Sequence, residues 1–353
     1  MNVDDYLAEA NKQCKQSLFL DFSGYIIEFV TNSKQLLDEL SVYYKYFLAA
    51  EKTAPHCIVE GLQSDSPKIF GNWQVKQPDP GKNKIKEHLL VLDNGHVVKK
   101  VLTDVHLFFI GNRRVCIGPL EDNPNQVVNF INNMHIEYCL GFGGQLFHAS
   151  GVCMGEIGLG MAGLSGKGKS TLALRLLQNG MDLVSNDRLV VNSTKLGLRM
   201  QGVAKYPRIN PGTIINQPEL LNLTSAENLL RYRAMSIDEL WHLEEKYDAF
   251  VEDTFDCAFK LDAVMKSFVA LDWELHSDQP TQLKRYKPSA CKALVENVMK
   301  SPGIMLPIAN KRIPQAISQD YIELLEQCDF YVLSGRVDFD WAAAEIIKVL
   351  AAY

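Results

Sequence analysis

Gly163-Leu-Ser-Gly-Lys-Gly-Lys169-Ser170-Thr171 satisfies the pattern G-x-x-x-x-G-K-[ST] at every position. Polyphosphate binding requires each part. Glycines let successive backbone N–H groups turn inward and form an anion nest. A helix opening at Lys169 aims its N-terminal partial charge at the same phosphates. Lys169 brings a flexible ammonium to the β- and γ-phosphate oxygens, and the Ser170 hydroxyl suits Mg²⁺. The expected nucleotide-binding set is therefore Gly163, Ser165, Gly166, Lys167, Gly168, Lys169, Ser170 and Thr171, with ATP as ligand.

The flanking chain frames this P-loop. Gly158 to Ala162 is short and apolar, as an incoming strand should be, and Leu172 to Gln178 is a strong helix pattern closed by Asn179-Gly180. Gly158-x-Gly160-x-x-Gly163 also fits the dinucleotide pattern G-x-G-x-x-G. That pattern needs its first glycine at the strand-to-helix turn, which here comes later, at 165–169. The next strand, Met181 to Ser185, empties into Asn186-Asp187 after only one helix and one turn. This return is expected to set the Asp187 carboxylate on the neighbouring strand's C-terminal edge, where it can bind Mg²⁺ or take a proton from an attacking hydroxyl. A turn-capping Asp is the plainer alternative.

His148, near the end of an upstream strand, is either structural or a hydrogen-bonding partner for substrate. In the loop Lys205-Tyr-Pro-Arg208-Ile-Asn210-Pro-Gly, Arg208 is placed to stabilise charge on a transferring phosphoryl group, and Asn210 to orient substrate or metal. Both residues are equally compatible with plain solvation.

The remaining sequence supplies context. The chain has 353 residues, 47% of them apolar, and a net charge of −6, so no broad basic footprint points to nucleic acid or anionic membrane. Eight scattered cysteines without a C-x-x-C pair indicate reduced thiols, and the acidic N-terminus has no signal-peptide pattern. No apolar run is long enough to span a bilayer. These features suggest a soluble, cytoplasmic protein.

Residues 1–140 read as a mixed α/β, strand-rich domain. A hairpin is expected at Ser23-Gly24, a helix over 33–48, and strands follow near 57, 89, 97, 105 and 114. The lysine-rich segment Gln77 to Glu87 is either a solvated hairpin tip or a lid for polyphosphate. A helix from Asn123-Pro124 to Leu140 ends at Gly141-Phe-Gly-Gly144, and residues 141–353 form the P-loop domain with a largely helical C-terminal portion. There a helix is expected from Ser236 to Asp248, and the helix 340–350 is expected to pack on a sheet edge without chemical role.

Taken together, four features resemble the HPr kinase/phosphorylase family, specifically its HPr-kinase-related kinase B group. They are His148 ahead of Gly163, the G-x-S-G-x-G-K-S loop, the strand ending in Asn186-Asp187, and the run Met200-Gln-Gly-Val-Ala-Lys-Tyr-Pro-Arg-Ile-Asn-Pro-Gly212. The resemblance implies an α/β kinase core like that of phosphoenolpyruvate carboxykinase, transfer of phosphate to a serine hydroxyl, and self-association. It also implies an acid in the first position of the strand-end pair as general base and one in the second near the metal. Here the first position is Asn186, which cannot take up a proton at neutral pH. Three possibilities stay open: Asp187 serves both roles, His148 is the base, or the chain binds ATP without transferring phosphate. The expected activity is ATP- and Mg²⁺-dependent transfer to a hydroxyl on a protein serine or a small molecule. The rivals are a nucleotide-responsive binding module and a small-metabolite kinase resembling adenylylsulfate kinase; the short spacing from Lys169 to Asp187 disfavours the latter.

Overall fold

A computed structural model describes residues 2–78, 84–164, 166–243, 245–307 and 317–353. The tip of the lysine-rich segment and Ser165 therefore lie outside the described residues. The chain divides into two compact units, Met1–Gly141 with Pro302–Pro314, and Phe142–Ser301 with Gln315–Tyr353. Both are α/β. No helix among the described residues is long and apolar enough to cross a membrane.

The first unit is built on an eight-stranded sheet. Its elements are α1 (Val3–Gln13), β1 (Gln16–Phe22), β2 (Tyr25–Thr31), α2 (Lys34–Tyr43), β3 (Cys57–Gln63), β4 (Gln74–Val75), β5 (Glu87–Leu92), β6 (Gly95–Lys100), β7 (His106–Ile110), β8 (Arg113–Gly118) and α3 (Pro124–Leu140). The strands are ordered β1-β2-β3-β8-β7-β6-β5-β4. The β2–β3 and β3–β8 pairs are parallel. Helix α1, which the sequence reading missed, opens with a capping box in which Asn2 and Asp5 satisfy each other's backbone N–H. Phe108 packs with Leu7 and Ala10 of α1, while Phe109 meets Phe130 of α3 edge-on. Adjacent residues of β7 are thus buried on opposite faces, and the strand reads as a continuous apolar run.

The second unit carries a nine-stranded sheet. It contains β9 (Gln145–Phe147), β10 (Ser150–Met154), β11 (Ile157–Gly163), α4 (Lys169–Leu177), β12 (Asp182–Ser185), β13 (Leu189–Thr194), β14 (Gly197–Gln201), β15 (Arg208–Ile209) and α5 (Pro211–Ile214). There follow α6 (Ala226–Arg233), α7 (Ile237–His242), β16 (Tyr247–Asp248), α8 (Val251–Phe255), β17 (Asp262–Leu271), β18 (Gln282–Arg285), α9 (Lys292–Glu296), α10 (Ser318–Leu325), β19 (Asp329–Ser334) and α11 (Phe339–Leu350). The central strands β11, β17 and β19 are mutually parallel. The last five residues of β17 are all buried, as a parallel strand covered on both faces should be.

Four sequence-based expectations need correction. The C-terminal portion is not largely helical, because β17, β18 and β19 run through it. A short apolar run such as Phe268 to Leu271 has no periodicity that separates strand from helix. The helix after Ser236 closes at His242, and Tyr247–Asp248 instead pairs with Arg208–Ile209. β12 does not adjoin β11, because the tight β10–β11 hairpin occupies that edge and β12 pairs outside β10. Finally, α11 packs against α4, with Asp340 within 3.0 Å of Arg175, and is not confined to a sheet edge.

Candidate functional site

Strand β11 ends at Gly163, the glycine-rich loop follows, and α4 begins at Lys169. Gly168 caps the helix in the left-handed conformation at φ 80°, and Gly166 is also left-handed at φ 84°. The Lys169 ammonium donates to the Gly163 carbonyl at 2.8 Å, folding back over the loop. Burial lowers the Lys169 pKa, and the negative charge of Asp187 acts in the opposite direction. Ser170 and Thr171 occupy the first turn of α4 and are half-buried.

Sequence reasoning missed the support beneath this loop. β17 pairs in parallel with β11 and delivers Trp273, fully buried, to the loop. Trp273 Nε1–H donates to the Lys167 carbonyl at 2.8 Å, and Lys167 Nζ donates to the Trp273 carbonyl at 2.8 Å. Phe339, the first residue of α11, meets the Trp273 ring edge-on at 5.0 Å. A Cβ at Gly168 would lie 2.7 Å from that Phe339 ring. The only hint in the sequence is the apolar run before Trp273.

Strand pairing brings His148 and Asp187 together. β9 and β13 are antiparallel with Phe147 opposite Leu189, and β10 and β12 place Gly151 opposite Ser185. The segments 148–150 and 186–188, which join these pairs, therefore run side by side. The Ser150 hydroxyl donates to the Asn186 carbonyl, and the His148 N–H donates to the Val298 carbonyl at 2.7 Å. His148 Nε2 lies 3.1 Å from Asp187 Oδ1, with side chains 36% and 48% exposed, so the pair is accessible. Donation from Nε2–H to the carboxylate leaves Nδ1 as the proton-accepting nitrogen.

Arg188 Nε stands 3.7 Å from the other Asp187 oxygen. Burial works against ionisation of Asp187, but the His148 hydrogen bond and the neighbouring charges of Arg188 and Lys205 outweigh it and hold the carboxyl well below the usual range. The side chain of Asn186 differs from its neighbour: its Oδ1 is buried and has no hydrogen-bond partner among the described residues.

The loop carrying Lys205 and Arg208 is anchored. Gly202 passes so close to β12 that a Cβ there would fall 1.7 Å from the Val184 carbonyl. The Val203 N–H donates to Ser185 Oγ at 3.3 Å, and that hydroxyl donates to the Arg188 carbonyl at 2.6 Å. Tyr206 is buried between Phe250 and Phe259, and its hydroxyl donates to Glu252 at 3.2 Å. Arg208 pairs with Asp248 at 3.5 Å across the β15–β16 ladder. Asn210 caps α5 through its backbone carbonyl, which accepts from Thr213 and Ile214.

No family model matches the chain, and no curated protein matches it. Among solved structures it is similar to the HPr(Ser) kinase/phosphatase from Coxiella burnetii, at 13% identity and a TM-score of 0.30, over 59% of this chain and 88% of that one.

Proposed function

We propose that this chain is an ATP- and Mg²⁺-dependent kinase that transfers the γ-phosphoryl group to a hydroxyl. The observation that carries the proposal is the grouping of Lys169, Asp187 and His148. Asp187 acts on the Lys169 charge and stands 3.1 Å from the His148 imidazole. A phosphate-binding loop, a carboxylate suited to a metal and a group able to take the acceptor's proton recur in phosphoryl-transfer sites, and these three residues could fill those roles. On the four sequence features given above, we further take the protein as a distant HPr-kinase-like enzyme of the kinase B type. It would work in the cytoplasm, where its eight free cysteines stay reduced.

In the proposed reaction the acceptor oxygen bonds to the γ-phosphorus, and the bond to the β–γ bridging oxygen breaks with its electron pair leaving on ADP. The acceptor's proton passes to His148 Nδ1, with Asp187 fixing the ring through Nε2. Backbone N–H groups of the loop and the Lys169 ammonium hold the phosphates. Mg²⁺ is commonly held by one or two carboxylates together with substrate phosphates, rather than by an all-protein cage. Asp187 and Ser170 suit that mode, and no cluster of three or more His, Cys, Asp or Glu able to hold a metal occurs among the described residues. When bound, the metal would neutralise charge on the β- and γ-oxygens.

Asn186 supports a second reading, a nucleotide-responsive binding module, because this side chain cannot act as a base. One comparison separates the two. Wild type, Lys169→Ala and His148→Ala are incubated with radiolabelled ATP and a cell lysate, and nucleotide binding is followed by thermal shift. The kinase proposal expects labelled acceptor with wild type, and a loss of about 10²–10⁴ in rate with His148→Ala. ATP with Mg²⁺ should stabilise wild type by about 2.7 kcal/mol at a hundredfold excess over Kd, and Lys169→Ala should lose most of that gain. Binding without any turnover would leave the module reading. Equal thermal shifts for wild type and Lys169→Ala would remove both.

A further inference from the structure

β17 closes on a carboxylate. Its last stretch, Phe268 to Leu271, is apolar and buried, and Asp272 follows directly. β17 is the parallel neighbour of β11, with Leu271 opposite Gly163. Asp272 therefore stands one residue beyond the last pair, level with the start of the glycine-rich loop. Its backbone is held from both sides. The Asp272 N–H donates to the Leu333 carbonyl of β19 at 2.8 Å, and the next residue, Trp273, exchanges two 2.8 Å hydrogen bonds with Lys167.

Strand alternation sets the direction of the side chain. Phe268 and Ala270 belong to the core on one face of the sheet, together with Phe147, which precedes His148, and Val298, whose carbonyl accepts the His148 N–H. Trp273 points to the other face, where it meets Phe339 of α11. Asp272 thus shares the face of Phe268, Ala270 and the His148 anchor. It is exposed, and its carboxylate makes no hydrogen bond or ion pair among the described residues.

Asp187 differs in engagement and in distance. One of its oxygens is taken by His148 at 3.1 Å, and the other faces Arg188 at 3.7 Å. It follows β12, two places from β11, whereas β17 is adjacent to β11. With neighbouring strands about 4.8 Å apart, Asp272 starts the closer to the loop. Mg²⁺ takes one or two carboxylates along with phosphate oxygens. In P-loop NTPases the loop's Ser or Thr and an Asp hold it. An unengaged carboxylate and the half-buried Ser170 hydroxyl are a donor set that fits this hard cation.

We propose that Asp272 is a second carboxylate for the nucleotide's Mg²⁺, acting with Ser170 directly or through a metal-bound water, so that Asp187 keeps its bond to His148 when the metal binds. This deepens the kinase proposal and rests on it, since it needs a triphosphate in the loop.

The test is calorimetry of a non-hydrolysable ATP analogue on the full chain, in EDTA and in excess Mg²⁺, with wild type, Asp272→Asn and Glu274→Gln. Wild type is expected to bind the analogue more tightly with Mg²⁺. Asp272→Asn should lose about ten- to a hundredfold of affinity in Mg²⁺, the range for removing a group that supports a bound metal. In EDTA it should bind as well as wild type or better, because a carboxylate near bare phosphates repels them. Glu274→Gln, which removes a nearby exposed acid, should behave as wild type in both buffers. Wild-type affinity of Asp272→Asn in Mg²⁺, an equal loss with Glu274→Gln, or no Mg²⁺ effect on wild type would overturn this proposal and leave nucleotide binding standing. An Asp272→Asn chain that fails to fold, or that weakens by the same factor in EDTA, would show a structural residue and overturn it as well. A wild type that binds no analogue in either buffer would remove the kinase proposal and this one with it.

Discussion

Gly168 sits at φ 80° directly beneath the Phe339 ring, so two independent constraints exclude any side chain there. Gly168→Ala is expected to cost at least about 1–2 kcal/mol for the left-handed conformation, with ring displacement added. Urea unfolding measures the cost; an unchanged midpoint would refute the packing described. Asn186 makes the opposite case, a polar atom buried without a donor. Restoring an acid with Asn186→Asp would put an unpaired charge beside Asp187. It is expected to destabilise the fold by about 1–3 kcal/mol or more, without raising transfer. A variant as stable as wild type with a faster rate would contradict this. In the first unit, His106 is fully buried, and its Nδ1–H donates to the Asp104 carbonyl at 3.1 Å. Burial, helped by the Lys99 charge and opposed by that carbonyl, pushes its pKa down from 6.5 to about 4. The folded imidazole stays neutral while the unfolded one takes up a proton. Stability is therefore full above about pH 6.5 and falls as pH drops towards 4, by about 3 kcal/mol in all. Denaturation of wild type and His106→Gln across that window should show a steeper loss for wild type; parallel curves would refute it.

At the scale of elements, the glycine-rich loop depends on a strand distant in sequence. Lys167 and Trp273 are 106 residues apart, yet they exchange two hydrogen bonds because β17 lies parallel to β11 and ends level with it. Trp273→Phe keeps the aromatic packing on Phe339 and removes only the indole donor. About 1 kcal/mol of stability should be lost, along with part of the thermal shift from ATP. A full ATP shift in this variant would show that the loop does not need the tie. The same level explains why α11 matters to the site. Its first residue packs under the helix cap, so the C-terminal segment holds the loop from below.

At the scale of the whole molecule, every residue assigned to the site belongs to the second unit, whereas the eight-stranded sheet belongs to the first. Hydrogen exchange on the full chain with ATP and Mg²⁺ should therefore slow amides over 163–171 and 185–188, and leave those of β3, β7 and β8 unchanged. Uniform protection of both units would contradict a site confined to the second. Self-association, implied by the family resemblance, would be checked by light scattering; a monomer mass at micromolar concentration would rule it out. The sequence alone determined the glycine-rich loop, its strand and helix, the Ser23-Gly24 hairpin and the strand-rich first unit. Those features depend on residues within one turn or one strand of each other, where glycine conformation, capping and apolar period act directly. It named His148, Asp187 and Arg208, but neither the pairing of His148 with Asp187 nor that of Arg208 with Asp248. Their contacts follow from the register of β9 on β13, the insertion of β10 between β11 and β12, and the ladder of β15 on β16. Tertiary structure alone decided these, because strand neighbours are chosen by long-range packing and backbone pairing, which leave no mark in local spacing.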